Sequence, residues 1–286
     1  MIAVPFLRPE QRFDLGEGSW SPRDVIAALG PWITPRRIEK IERVVQGRRL
    51  GVTTVLDSVY DRGNQSAVIR SAEGLGFPWV HVIETQEKTK EANRVTLGAD
   101  KWVHIDRWAN TRDCIRVLKH YDFQIVATDL TATTTLDEID YSVPTALVFG
   151  NEKIGVSEEI LKVADRRAVL PMSGFTQSFN LSVAAALCLA HARAKLTKTD
   201  LTERQMDVLR AQYFIKSVPH ASLIMKAYRP GLVPERVADA HRPLAHISHV
   251  SPVVSGSNPR SAGEIPSRPV SGVAGVGDLS DSDSSA

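Results

Sequence analysis

A chain of 286 residues, 43% hydrophobic and 24% charged, has the ordinary make-up of a globular protein and enough apolar side chains for a sizeable core. Its formal net charge of +2 excludes a uniformly basic nucleic-acid binder, so any basic surface has to be local. The two cysteines, Cys114 and Cys188, lie far apart without Cys-x-x-Cys spacing, which excludes a disulfide framework and leaves buried, reduced thiols as the expectation.

Residues 1–33 read as an N-terminal extension. Pro5, Arg8 and Pro9 interrupt it before the apolar region of a signal peptide develops, and no stretch reaches transmembrane length, so a cytoplasmic location without membrane association is expected. From Thr34 to Arg49, "TPRRIEKIERVVQGRR" predicts a helix, with Thr34 as N-cap, Pro35 in the first helical position and Ile38, Ile41, Val44 and Val45 on one face. The polar face is basic, making 34–50 a distinct segment. Arg36, Arg37, Lys40, Arg43, Arg48 and Arg49 are candidate phosphate contacts, although a merely solvated helix shows the same pattern.

Strand and helix signals then alternate over 51–196. "GVTTVLDSV" reads as a β-branched strand, "NQSAVIRSAEGLG" as a helix ending at glycine, and "WVHVIE" as a strand. "RDCIRVLKHYD" has helical spacing, "FQIVATDL" and "TALVFG" read as buried strands, and "SEEILKVAD" as a helix. The short strand "RAVLPM" and an apolar, alanine-rich helix from Asn180 to Lys195 close the series. Such alternation predicts an α/β fold, a parallel sheet with helices on both faces.

Beyond Lys195, residues 197–229 read as a helical extension packed through Met206, Leu209, Tyr213 and Phe214. Residues 230–286 are expected to be a disordered tail, which from about Ser248 onward is serine, proline, glycine and valine with an acidic end. His241, His246 and His249 belong to that solvated tail in this reading, and no metal site is expected.

In an open parallel sheet ligands gather at the carboxyl ends of strands, so the residues after each strand are where chemistry is sought. Asn64 and Arg70 follow the first strand, Gly150, Asn151, Glu152 and Gly155 follow "TALVF", and Gln177, Ser178 and Asn180 follow "RAVLP". Each has a structural reading as well. Asn64, Ser178 and Asn180 suit helix caps, Arg70 a pair with Glu73, and "GNEKIG" a turn requiring glycine. Phosphoryl transfer, NAD chemistry and serine hydrolysis lose ground, because there is no Lys-Ser/Thr ending of a P-loop, no Gly-x-Gly-x-x-Gly after the first strand, and no Gly-x-Ser-x-Gly elbow.

"NQSAVIRSAEGLGF", "LVFGNEKIGVSEEI" and "LPMSGFTQSFNLSVAAAL", in this order and separation, resemble the three motifs of the SpoU/TrmH ribose 2′-O-methyltransferases, a branch of the SPOUT superfamily. The resemblance spans roughly Thr34 to Lys195, and the flanking helices look like those of the branch that methylates guanosine 18 of tRNA. The chain departs from the family pattern at Arg62-Gly63, where a proline and a small or polar residue are more usual, and at Phe179, where leucine is common. The resemblance implies a deep C-terminal trefoil knot, S-adenosyl-L-methionine as cofactor, tRNA as substrate and a homodimer placing groups of both subunits near one pocket. Ribosomal RNA as substrate, or a catalytically silent RNA-binding protein, are its rivals.

Residue by residue, the resemblance implies that Thr128, Gly150, Leu170, Met172 and Phe179 hold the cofactor. It makes Arg70 the catalytic arginine, with Asn64, Glu152, Ser178 and Asn180 shaping or supporting the site, and gives Arg36, Arg37, Lys40 and Arg43 a use in binding RNA. A guanidinium that stays protonated is a poor proton acceptor, so Arg70 is expected to clamp a phosphate and stabilise developing alkoxide charge.

Overall fold

The computed structural model describes residues 2–84 and 98–229; the segment 230–286, with its three histidines and the expected tail, lies outside the described residues. The β-branched stretches pair as a seven-stranded sheet in the order β5-β4-β3-β8-β6-β9-β7, every pairing parallel. These are β3 (Val52–Asp57), β4 (Trp79–Ile83), β5 (His104–Trp108), β6 (Gln124–Thr128), β7 (Thr134–Thr135), β8 (Thr145–Phe149) and β9 (Arg166–Val169).

The central strands are buried throughout, so alternate side chains feed opposite faces. Ala146 and Val148 join one core cluster with Cys114, Leu118 and Ile160 of α4 (Thr111–His120) and α5 (Glu158–Val163). Leu147 and Phe149 join the other with Val68, Ile69 and Ala72 of α3 (Arg62–Gly74) and Ala185, Cys188 and Ala192 of α6 (Leu181–Lys195). Helices therefore cover both faces, as the alternation predicts. Small residues at the α3–α6 contact let two helices approach closely, and both cysteines are buried and unpaired.

Outside the sheet, α2 (Pro35–Gly47) follows Thr34 at its N-cap position, and α7 (Glu203–Ser217) and α8 (Ala221–Ala227) divide the C-terminal helical region after Val218-Pro219, where His220 takes φ +57°. Met206, Leu209, Tyr213 and Phe214 are buried on α7. Residues 2–33, legible in the sequence only as an extension, are folded. They form a hairpin of β1 (Phe13–Leu15) and β2 (Gly18–Trp20) and the helix α1 (Pro22–Leu29), which packs on α7 and α8. Ser21 and Asp24 cap α1 reciprocally, with Asp24 N–H on Ser21 Oγ at 3.2 Å and Ser21 N–H on Asp24 Oδ2 at 3.1 Å.

Two basic residues are corrected. Arg48 and Arg49 do not extend the basic face, because α2 ends at Gly47 and both side chains turn inward, 1% and 5% exposed. Arg48 donates to Tyr213 Oη at 2.9 Å, to the Glu73 carbonyl at 2.8 Å, to Glu73 Oε1 at 3.0 Å and to the Trp102 carbonyl at 3.1 Å. Arg49 donates to the carbonyls of Gln46, Arg48, Leu196 and Thr197. A buried cation is tolerable only when so satisfied, and these two tie α2 to α3, α7 and the end of α6.

Candidate active site

At the carboxyl ends of β6, β8 and β9 lies a cavity of about 590 Å3. Its lining gathers Thr128, Gly150, Leu170, Met172 and Phe179 together with Glu152, Ser178 and Asn180. Phe149, Leu136, Leu181 and Ala184 add an apolar wall. Gly150 is required here by space and not by backbone angle: a Cβ would lie 2.1 Å from Gly155 C and Val156 N, inside the tight turn that Asn151 and Gly155 close by exchanging backbone hydrogen bonds of 2.9 and 2.8 Å.

Asn64 lies inside α3, whose N-cap is Asp61: the Asp61 carboxylate accepts the Gly63 N–H at 2.6 Å. Asn64 is thereby freed from capping, and its Nδ2 donates to Glu152 Oε1 at 2.9 Å. Asn180 both caps and reaches out. Its Oδ1 accepts the Ser182 N–H at 2.9 Å while its Nδ2 donates to Asn64 Oδ1 at 3.3 Å. A continuous polar chain, Asn180 to Asn64 to Glu152, thus joins the three motif loops at the mouth of the cavity. Burial raises the Glu152 pKa, but hydrogen bonds from Asn64 and from the backbone of Tyr60 and Asp61 outweigh it and hold the carboxyl below its usual range. Glu152 is ionised at neutral pH, which makes it an anchor and a weak base.

Arg70 stands apart from that cavity. It is exposed, rather more than one and a half turns and about 9 Å of helix rise beyond Asn64. It does not pair with Glu73, which Arg48 takes at 3.0 Å. Arg70 lines a second cavity of about 570 Å3 with Arg37, Lys40 and Arg43 of α2, Arg193 of α6 and Trp102. Arg37 lies over the Trp102 ring, 4.8 Å from its centre. Arg36 is exposed on α2 outside that lining.

Two contributors, Asp129 and Arg193, are not singled out by the sequence. Asp129, directly after β6, lines the first cavity; although burial raises its pKa, hydrogen bonds from Thr131 and the Arg167 charge hold it low. The strand-end rule reaches it, since it adjoins Thr128. Arg193 gives no signal, since it and Lys195 read only as the basic last turn of an apolar helix. Asn151, legible only as a residue of the glycine turn, donates from Nδ2 to the Ser58 carbonyl at 2.8 Å and locks two loops together. Among the described residues no cluster of His, Cys, Asp or Glu suits a metal ion, and no helix is long and apolar enough to cross a membrane.

The model of the SpoU rRNA methylase family matches residues 51–190. A tRNA (guanosine(18)-2′-O)-methyltransferase of Borreliella burgdorferi is 35% identical over 204 residues, 70% of this chain and 94% of that one. The enzyme of the same name from Thermus thermophilus is 36% identical over 172 residues, 60% of this chain and 89% of its own. The crystal structure of the A. aeolicus TrmH/SpoU tRNA modifying enzyme superposes with a TM-score of 0.58 at 31% identity, over 64% of this chain and 98% of that one. With a motif-lined cavity where three strands end, and relatives matched over nearly their whole length, this chain belongs to the SpoU rRNA methylase family.

Proposed function

We propose that this protein transfers a methyl group from S-adenosyl-L-methionine to the 2′-hydroxyl of a ribose in tRNA, at guanosine 18, as a cytoplasmic homodimer. The observation that carries the reading is the polar chain Asn180–Asn64–Glu152 at the mouth of the strand-end cavity. The named activity of the matched relatives supports the substrate. The family's own name, an rRNA methylase family, favours a second reading, ribosomal RNA, which the experiment below separates.

The residues present fit the cofactor. The volume, about 590 Å3, falls within the range of small-molecule sites, about 300–1,000 Å3. Leu170, Phe179, Leu136 and Leu181 give an apolar wall suited to a purine, while the carboxylates of Asp129 and Glu152 suit hydroxyl and ammonium groups. When bound, S-adenosyl-L-methionine supplies an electrophilic methyl on a sulfonium. The protein then has to hold the acceptor oxygen in line and exclude misaligned encounters, a task that proximity and orientation largely accomplish. Asn64 and Asn180 offer amide groups for the ribose, held in place by the Glu152 anchor.

Arg70 acts as a phosphate clamp and stabilises charge developing on the acceptor oxygen. Its position beside Arg37, Lys40 and Arg43 supports this, because phosphate affinity requires concentrated cations in a nearly neutral protein. Neither Arg70 nor Glu152 is a fit proton acceptor, so the proton passes to water or to the neighbouring phosphate. Because Arg70 lies outside the cofactor cavity of its own chain, we assign it to the pocket of a second protomer. Val183 and Leu187, 47% and 43% exposed on the outer flank of α6, provide the apolar surface for that pairing. The trefoil knot belongs to the same reading, with Leu170, Met172, Ser178, Phe179 and Asn180 lining the cavity before α6 packs on α3.

Incubation with labelled S-adenosyl-L-methionine and, separately, unmodified tRNA and ribosomal RNA, followed by mapping of the labelled nucleotide, tests the proposal. Label at guanosine 18 of tRNA is expected; label in ribosomal RNA alone would establish the second reading. Arg70→Ala should lower turnover at least a hundredfold while calorimetry still detects cofactor binding. Near-normal turnover in that variant would remove the clamp.

A further inference from the structure

Tyr60, between β3 and α3, is 61% exposed, yet its backbone is held by the residues of the candidate active site. Its N–H donates to Glu152 Oε2 at 3.2 Å, and Glu152 Oε1 accepts the Asn64 amide at 2.9 Å. On one side Asp61 caps α3; on the other Asn151 Nδ2 binds the Ser58 carbonyl at 2.8 Å, with Ser58 in the left-handed region at φ +53°. A non-glycine residue in that region persists only where its surroundings over-determine it. The loop is therefore preorganised, and what it presents is a phenol ring open to solvent, with Lys153 Nζ 6.0 Å from the ring centre.

We propose that Tyr60 is the stacking platform for the base of the nucleotide that receives the methyl group, with Lys153 beside it for the adjoining phosphate. This rests on the function proposed above. Side chains identify RNA bases by splaying them from their stack and laying them on aromatic faces. A ribose delivered to the Asn64–Asn180 amides carries its base to the rim of the cavity, where Glu152, the partner of Asn64, also holds the backbone of the exposed Tyr60. The platform explains why an aromatic group is fixed in water at the cost of its burial, and a flat base is the partner that both the ring and the flanking ammonium fit.

The test uses the full chain and a tRNA carrying 2-aminopurine at the mapped methylation position. Binding of the wild-type protein and of Tyr60→Phe should quench the fluorescence, and Tyr60→Ala should not. With unmodified tRNA, Tyr60→Ala should raise KM about tenfold, the scale of losing one stacked base, while Tyr60→Phe stays within about twofold. Cofactor binding and the melting temperature should be unchanged in both, since the ring is exposed. Equal quenching by Tyr60→Ala, or a KM within twofold of wild type, overturns the platform while leaving methylation itself standing. A Tyr60→Ala protein that becomes monomeric by light scattering overturns it too, because the ring would then bury against a second copy. A wild-type protein that neither methylates nor quenches overturns both this inference and the proposed function.

Discussion

Asn180 carries two jobs on one amide. Its oxygen caps α6 through Ser182 and its nitrogen reaches Asn64, so the capping and the site readings of the sequence are both met by the same side chain. Asn180→Ser separates them, since serine caps about as well but is too short for Asn64. Asn180 is exposed in the protomer, so the lost bond is worth about 0.5–1.5 kcal/mol and not the larger cost of an orphaned buried group. An unchanged melt with a fall in kcat/KM of roughly two- to tenfold is expected from thermal scans beside steady-state kinetics. Unchanged kinetics with an unchanged melt would return Asn180 to the cap alone.

At the scale of elements, the loop from Gly150 to Gly155 shows how a turn makes a pocket. The two backbone bonds between Asn151 and Gly155 fold the loop so tightly that no side chain fits at Gly150. Gly150→Ala is expected to open the turn, since the obstructing atoms are backbone and cannot rotate away. Calorimetry should show cofactor affinity reduced at least tenfold while β8, buried along its whole length, keeps the sheet folded by circular dichroism. Retained affinity would mean the turn relaxes freely.

For the whole molecule, the link between the sheet edge and acid stability runs through His81. It is fully buried on β4, and its Nδ1 accepts the Trp108 indole N–H at 3.1 Å, so the ring is neutral in the fold. Burial lowers its pKa to about 3, with the Asp106 carboxylate pulling the other way and His104 adding to the depression. The unfolded chain, with an ordinary value of 6.5, binds a proton that the folded chain refuses between those limits. This contribution to stability is fully present above pH 6.5 and is lost as pH falls below it, with a slope of up to about 1.4 kcal/mol per pH unit. His81→Gln keeps an acceptor for Trp108 without a titrating ring. Urea melts of that variant should fall less steeply between pH 6.5 and 4.5 than those of the parent; parallel profiles would exclude His81 as the titrating group.

The sequence by itself determined the alternation of strands and helices, and with it the parallel sheet. Continuous apolar runs such as "TALVF" can be satisfied only where both faces are covered, and the physics is local. It also identified which loops matter, because strand ends in such a sheet converge whatever the connectivity. Tertiary structure decided the rest. Whether Asn64 caps α3 or faces Glu152 depends on Asp61 three residues earlier and on a loop 88 positions away. β5, whose side chains are mostly half-buried, and the hairpin and α1 of the first 33 residues give weak local signals; they exist through pairing with β4 and packing on α7. Arg48 and Arg36 are the same residue type in one basic run, yet one is buried and the other exposed. Their fates part at Gly47, where the helix stops and the carbonyls of Glu73 and Trp102, remote in sequence, take the guanidinium out of water.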